Sequence, residues 1–155
     1  MRLIVLAVGE RLPEWAQAAC AEYARRMPRE ARLEVVPVRA QRRVGLSTDK
    51  IRAAEAERLA ARCPAGAWRV VLDERGRQVS TRELAGLLQG WMASGRDVAF
   101  FIGGADGLAE DLLIHADLGL ALSRLTLPHA LARVVLIEQL YRAMSLITGH
   151  PYHRD

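Results

Sequence analysis

Short apolar runs alternate along the chain with longer segments of helical periodicity. The runs are rich in Val, Ile, Leu or Phe and lack polar alternation, which is typical of strands buried on both faces of a sheet. Strands are therefore predicted over residues 2–8, 33–38, 69–73 and 98–102, with a weaker one over residues 118–122.

The segments between these runs carry the spacing and the end signals of helices. Helices are predicted over residues 12–27 and 48–63, because Pro28 and Pro64 follow them. Ser80 and Glu83 form a capping box that opens a helix reaching to about residue 94. The longest helix is predicted over residues 131–147. Alternating strands and helices predict an α/β fold with a mostly parallel sheet flanked by helices, in a single domain over residues 1–155.

Composition excludes several classes of protein. With 51% hydrophobic and 26% charged residues, the chain has the balance of a soluble globular protein. It offers no apolar window long enough for a membrane span, and its first apolar run is too short for a signal peptide, so a cytoplasmic location is expected. Cys20 and Cys63 lie far apart without ligand spacing, which favours reduced thiols over a disulfide or a metal site.

The net charge of +4 is concentrated in the first third of the chain. Residues 1–50 carry ten basic and six acidic side chains, whereas residues 51–155 carry twelve of each. The arginines form two groups, and guanidinium groups suit phosphates. A nucleic-acid surface and an ordinary solvated face are both open on this feature alone. The groups are Arg25, Arg26, Arg29 and Arg32, then Arg39, Arg42 and Arg43.

Two segments have the composition of ligand-binding backbone. Gly103, Gly104 and Gly107 follow a predicted strand, where glycines allow a ligand to approach closely, although a tight structural turn fits nearly as well. They lack the spacing of dinucleotide and P-loop fingerprints. In residues 122–129, backbone groups would read an adenine edge while Leu125 and Leu127 sandwich its ring. The alternative there is an ordinary buried strand leading to His129 at a helix cap.

The carboxyl-terminal part holds the remaining candidate chemistry. His150, Tyr152, His153 and Arg154 give the terminus groups that can stack on a base, accept a proton and hold an oxyanion. Glu138 and Arg142 have the spacing of a helical salt bridge, with Arg142 alternatively directed towards the tail. The helix that carries them is apolar around most of its circumference, which predicts a second copy of the chain as its partner.

In order and spacing, these segments together resemble the large-subunit ribosomal RNA pseudouridine methyltransferases of the SPOUT class. The resemblance covers the full chain, with Ala105 and Gly149 as departures and residues 40–47 matching least well. The segments that carry it are Ile102-Gly103-Gly104-x-x-Gly107-Leu108, Ser123-x-Leu125-Thr126-Leu127-Pro128-His129, Arg133-Val134, Glu138-Gln139-Leu140-Tyr141-Arg142-Ala143 and His150-Pro151-Tyr152-His153-Arg154.

The resemblance implies a fold, a cofactor and a substrate. It implies a carboxyl-terminal trefoil knot, a homodimer, and S-adenosyl-L-methionine as the only cofactor, with no metal. The implied substrate is a pseudouridine of 23S ribosomal RNA, methylated at ring nitrogen 3 on the assembled ribosome. The cofactor contacts carried over are Leu72, Asp73, Gly104, Ser123, Arg124, Leu125, Thr126, Leu127 and Pro128.

The tail is then expected to meet the substrate base. Arg142 and Arg154 are expected to stabilise negative charge, Tyr152 to stack on or orient the base, and His153 to act as the base that takes the proton. Whether the tail completes its own site or that of a partner stays open. A non-catalytic ribosome-binding factor, a nucleotide-dependent oxidoreductase and a transfer RNA methyltransferase are the alternatives.

Overall fold

Five strands form one parallel sheet in the computed structural model, which describes residues 1–154. The strands are β1 (Arg2–Val8), β2 (Arg32–Val38), β3 (Trp68–Gln78), β4 (Val98–Ile102) and β5 (Leu118–Ala121). The helices are α1 (Glu14–Arg26), α2 (Thr48–Arg62), α3 (Thr81–Ser94), α4 (Glu110–Ile114) and α5 (His129–Thr148). A short 3-10 helix, Arg29–Ala31, precedes β2.

The sheet has the order β2-β1-β4-β3-β5, and each neighbouring pair is parallel. The central strand β4 is buried along its whole length, as its uninterrupted apolar run predicts. The predicted α/β class and the mostly parallel sheet are therefore confirmed. The trefoil knot and the single domain over residues 1–155 stay predictions, and Asp155 lies outside the described residues.

Alternate residues of the strands face two separate helical layers. Leu3, Val5 and Phe100 belong to the larger core cluster, which also holds buried residues of α1, α3 and α5. Ile4 and Phe101 belong to the other cluster, on the side of α2 and α4. The period-2 direction of side chains in strands thus places helices on both faces of the sheet.

The third strand is longer than its sequence pattern indicates. The prediction that it ends at residue 73 is wrong, because β3 continues to Gln78 after a register shift against β5 between Leu72 and Arg77. The residues after Leu72 are mostly charged, so their pattern is not that of a buried strand. They form a bulge, and pairing with Leu120 resumes beyond it.

Helix α5 finds most of its apolar partners within its own chain. It packs against α1 and α3, and Leu136, Ile137 and Leu140 are fully buried there. This packing accounts for much of the apolar circumference that predicted a second copy. Leu131 and Val135 on the same helix are half-buried.

Among the residues that the structure describes, none of the helices combines the length and hydropathy needed to cross a membrane. The same residues contain no group of His, Cys, Asp and Glu side chains that would hold a metal ion. Cys20 and Cys63 are both free thiols.

Replacing Gly76 with alanine should destabilise the sheet. A Cβ there would lie 2.7 Å from the backbone of Gly119 and Leu120, so β3 and β5 would have to separate. We expect the free energy of unfolding to fall by about 2 kcal/mol or more. Urea unfolding followed by circular dichroism measures the change.

Gly90→Ala is the matched control, because a Cβ at this position in α3 meets no atom within 4 Å. Its effect should be neutral or stabilising by up to about 1 kcal/mol. Equal urea midpoints for the two variants would contradict the assigned contact between Gly76 and β5.

Candidate functional site

A pocket of about 420 Å³ opens at the carboxyl ends of β4 and β5, beside the bulge in β3. In open α/β sheets, ligands bind at this edge of the strands. The pocket is lined by Leu72, Asp73, Glu74, Ile102, Gly103, Gly104, Ala105, Gly107, Leu120, Leu122, Ser123, Leu125, Thr126, Leu127, Pro128, His129 and Ala132.

One wall of the pocket is a glycine turn, residues 103–107, at the end of β4. A Cβ on Gly103 would lie 2.6 Å from the carbonyl carbon of Gly107, so the two backbones touch. The Gly107 N–H donates to the Gly104 carbonyl at 3.0 Å, and Gly107 has a φ of +78°. Only glycine satisfies the close approach at 103, and the positive φ at 107 strongly favours it.

A second wall comes from the bulge in β3. The bulge brings Leu72, Asp73 and Glu74 to the pocket. The Asp73 carboxylate accepts hydrogen bonds from the Arg75 backbone N–H at 2.8 Å and from its Nε at 3.1 Å. The hydrogen bond from the Arg75 side chain is the main cause that holds the pKa of Asp73 below its usual value. Asp73 therefore presents a fixed negative charge at neutral pH.

The third wall is the irregular segment between β5 and α5. Ser123 Oγ accepts a hydrogen bond from the Leu125 N–H at 2.8 Å, which turns the chain around the pocket. The side chain of Leu125 stands at the rim and is 77% exposed. Leu127 and Pro128 complete this wall before α5 begins at His129. Arg124 is exposed and does not line the pocket.

Among residues 1–154, two carboxylates and no arginine or lysine line the pocket. The rest of the wall is mostly aliphatic, with one imidazole from His129 and hydroxyls from Ser123 and Thr126. A polyphosphate would face Glu74 and the Asp73 carboxylate, whose partner Arg75 lies outside the lining. The pocket is therefore suited to an apolar ligand that carries positive charge.

Most of the predicted cofactor residues meet in this one pocket. The structure also adds residues that sequence reasoning missed, including Glu74, Ile102, Leu120 and Ala132. Ile102 and Leu120 lie at or near the ends of parallel strands that share an edge, and this position in the sheet is the signal that points to them. Glu74 has no such signal, because its placement depends on the bulge.

The arginine loop, residues 39–47, is attached to the back of the glycine turn. Arg43 makes two hydrogen bonds to the Asp106 carboxylate, at 2.7 and 2.9 Å, and Arg52 Nε donates to the Asp106 carbonyl at 2.6 Å. Buried Glu55 accepts a hydrogen bond from the Gln41 N–H at 2.9 Å. The loop and the pocket wall are thus parts of one polar network.

The tail packs against α1 and α5. The Tyr152 hydroxyl donates to Glu138 Oε1 at 3.0 Å and lies 3.3 Å from the Tyr23 hydroxyl. Its ring centroid is 4.6 Å from that of Tyr141, and the Arg142 guanidinium lies 4.7 Å from the Tyr152 ring centroid. The structure thus brings predicted Tyr152 and Arg142 together. His153 is half-buried, and Arg154 is exposed.

The surroundings of Tyr152 keep its hydroxyl protonated. Partial burial, the hydrogen bond with Tyr23 and the hydrogen bond to Glu138 all raise the pKa of Tyr152 well above its ordinary value. Arg142 Nε donates to Glu138 at 2.9 Å, so the predicted salt bridge and the contact with the tail are both present. At neutral pH the Tyr152 hydroxyl is therefore a hydrogen-bond donor.

The tail cluster and the pocket lie at different levels of α5. Pro128, His129 and Ala132 line the pocket at the start of the helix, whereas Glu138 and Tyr141 contact the tail. The rise of an α-helix puts Ala132 and Tyr141 roughly 14 Å apart along the axis. In one chain the two predicted halves of the site are therefore separate.

The comparisons with family models and with known proteins indicate the same family. A family model described as "Predicted SPOUT methyltransferase" matches residues 1–153. Proteins named "Ribosomal RNA large subunit methyltransferase H" match the whole chain. That of Methylibium petroleiphilum is 54% identical over 100% of both chains. That of Thiobacillus denitrificans is 53% identical over 100% of both, and that of Nitrosomonas eutropha is 50% identical over 99% of both.

Solved structures share the fold at low identity. A probable methylase family protein from Haemophilus influenzae superposes with a TM-score of 0.53 at 14% identity, covering 99% of this chain and 70% of that one. A second solved structure is described as giving structural insights into the 2-OH methylation of C/U34 on tRNA. It superposes with a TM-score of 0.53 at 18% identity, covering 96% of this chain and 97% of that one.

The bidentate pair of Arg43 and Asp106 should be energetically coupled. Because the Asp106 side chain is only 12% exposed, a double-mutant cycle with Arg43→Ala and Asp106→Ala should give a coupling free energy of about 1 kcal/mol in urea unfolding. The pair of Arg75 and Glu110, 3.9 Å apart and largely exposed, is the control and should give nearly zero. Equal coupling in both cycles would mean that Arg43 does not hold the glycine turn.

Proposed function

The chain belongs to the SPOUT methyltransferase family, and we propose that its pocket binds S-adenosyl-L-methionine for methylation of large-subunit ribosomal RNA. The full-length identity to proteins named as ribosomal RNA methyltransferases favours this substrate over transfer RNA and over a binding role without catalysis. We infer further that the acceptor is ring nitrogen 3 of a pseudouridine in 23S ribosomal RNA on the assembled ribosome.

The observation that carries the cofactor assignment is the charge of the pocket. S-adenosyl-L-methionine supplies a methyl group on a positively charged sulfonium. Asp73 and Glu74 complement that charge, and the aliphatic wall accepts a nucleoside. No arginine or lysine among the described residues lines the pocket beside Asp73 and Glu74, which disfavours the diphosphate of a nicotinamide or flavin dinucleotide at that end and counts against an oxidoreductase.

The backbone of the third wall accounts for recognition of the adenine. Leu125 and Leu127 offer apolar surfaces, while the backbone of the segment from Ser123 to Pro128 runs along the pocket, where it would meet the base edge. At Gly104 a Cβ would lie 3.0 Å from Val8 Cγ1 and 3.4 Å from Glu55 Oε1, so glycine lets the turn pack against β1 and α2 while its backbone lines the pocket. Leu72, Asp73 and Gly104 therefore act with this segment in holding the cofactor.

The tail residues supply what methylation of an imide nitrogen requires. The N3–H bond would break and its proton would pass to a base, with negative charge spread over the two flanking carbonyl oxygens. The N3–methyl bond would form as the S–methyl bond of the donor breaks, which leaves neutral S-adenosylhomocysteine. We assign the proton to His153 and the carbonyl oxygens to Arg154. Tyr152 stacks on or donates to the base, and Arg142 holds Tyr152 through the ring contact.

The distance between tail and pocket supports a homodimer with a shared site. Reacting groups have to approach to about 3 Å, whereas the tail cluster and the pocket are several turns apart on α5. A two-fold axis across α5 would bring the tail of one protomer to the pocket of its partner. We propose that arrangement, with the half-buried residues Leu131 and Val135 at the contact.

Deleting residues 152–155 should separate binding from catalysis. Because residues 152–154 do not line the pocket, the Kd for S-adenosylhomocysteine measured by calorimetry should stay within about twofold of the wild-type value. Methylation of ribosomes lacking the modification should be lost. Gly103→Val is the matched variant and should lose binding as well, because its side chain would displace the glycine turn. Full methylation by the shortened chain would refute the role of the tail.

A mixture of two inactive variants should test the shared site. Co-expression of the tail deletion with Gly103→Val gives dimers in which an intact pocket faces an intact tail. Random pairing should restore about a quarter of wild-type methylation if the tail acts across the dimer. If the mixture is as inactive as each variant alone, the tail serves its own chain.

A further inference from the structure

A buried arginine beside the pocket has no acidic partner among residues 1–154. Arg133 on α5 is 2% exposed, and its Nη2 donates to the carbonyl oxygens of Val8 at 3.2 Å and Gly9 at 3.1 Å. Its Nε makes no hydrogen bond. The guanidinium is thus satisfied only in part, and only by neutral groups.

Burying an unpaired charge is costly, so this arrangement needs an explanation. Burial lowers the pKa of Arg133, and the neighbouring Cys20 thiol opposes that effect. An arginine remains protonated at neutral pH in any protein environment. Two carbonyl dipoles orient the guanidinium, but they supply no counter-charge. Arg133 therefore retains the capacity to bind an anion.

The missing side chain of Gly9 leaves a space that Arg133 shares with His129. Gly9 has a φ of +110°, a conformation that disfavours other residues. The position that a Cβ would occupy lies 3.7 Å from Arg133 Nη2 and 3.8 Å from His129 Nε2. Two nitrogen atoms on successive turns of α5 therefore face one small volume at the end of β1. Nη2 gives its two hydrogens to the Val8 and Gly9 carbonyls, so an anion in this volume would replace those carbonyls as its partner.

The start of α5 adds positive potential at the same place. The helix begins at His129 with Pro128 as its N-cap residue, has no side-chain cap, and has no acidic residue in its first turn. The unpaired N–H groups of a helix start carry partial positive charge. His129 and Ala132 also line the pocket, so this region adjoins the proposed cofactor site.

We propose that Gly9, His129 and Arg133 form an oxyanion subsite at the edge of the cofactor pocket. The ligand is a carboxylate or a phosphate, supplied by the amino-acid portion of the methyl donor or by the RNA backbone. This inference depends on the proposed function for its ligands. It gives the pocket a cationic end that its own lining lacks and explains why a buried arginine is left without a carboxylate.

Three nucleosides test the subsite in calorimetry: S-adenosylhomocysteine, its decarboxylated analogue, and 5′-methylthioadenosine, which lacks the amino-acid portion. If the donor's carboxylate occupies the subsite, the wild type should bind S-adenosylhomocysteine at least about tenfold more tightly than the decarboxylated analogue. Arg133→Met should remove that difference and leave the Kd of 5′-methylthioadenosine unchanged. Arg133→Lys should restore part of it.

Ribosome kinetics distinguish the other source. If an RNA phosphate occupies the subsite, Arg133→Met should bind all three nucleosides like the wild type, while its KM for ribosomes rises about fivefold or more with little change in kcat. Arg62→Met, at an exposed position at the end of α2, is the control for loss of one positive charge. An Arg133→Met protein with wild-type nucleoside affinities and wild-type KM would overturn the proposal.

His129→Gln covers the case in which Arg133→Met does not fold. His129 is exposed, so its replacement leaves the core intact, and it should reduce the same carboxylate discrimination or raise the same KM. No change in either quantity would again overturn the subsite. A wild-type protein that binds none of the three nucleosides would instead contradict the proposed function.

Discussion

The backbone contact between Gly103 and Gly107 is the constraint on which the pocket depends. It lies at the end of β4, the central strand, whose side chains are fully buried on both faces. The sheet therefore fixes where the glycine turn begins, and the contact fixes how tightly it closes. The bulge of β3 and the segment after β5 then complete the pocket from neighbouring strands.

Opposite charges lie on the two sides of the glycine turn. The pocket lining carries the carboxylates of Asp73 and Glu74, whereas the arginine loop lies on the other side of the turn. Arg43 joins the loop to the turn through Asp106.

The sequence predicts most of the fold because local and global preferences agree there. The uninterrupted apolar run at residues 98–102 coincides with β4, and the capping box at Ser80 and Glu83 opens α3. The predicted end of β3 is wrong for a physical reason. Its charged residues pair with β5 only after a register shift, and a register shift depends on the neighbouring strand.

The residues of the candidate site also fall into two groups. A sequence pattern indicates some of them, and only the packing of the folded chain shows the others. The glycines and the segment from Ser123 to Pro128 are visible as motifs, and most of them meet in the pocket. The sequence around Arg133 does not indicate that its side chain is buried, because the groups that surround it come from β1 and α1. The separation of the tail from the pocket likewise follows from the course of α5, which spacing alone does not give.

We propose that this chain methylates one pseudouridine of 23S ribosomal RNA. Mass spectrometry of ribosomal RNA from a strain that lacks the protein is the decisive test. A single pseudouridine should lose its N3 methyl group, and the wild-type gene should restore the group while the Gly103→Val gene should not. Unchanged methylation of 23S ribosomal RNA, or loss of a methyl group from transfer RNA instead, would contradict it.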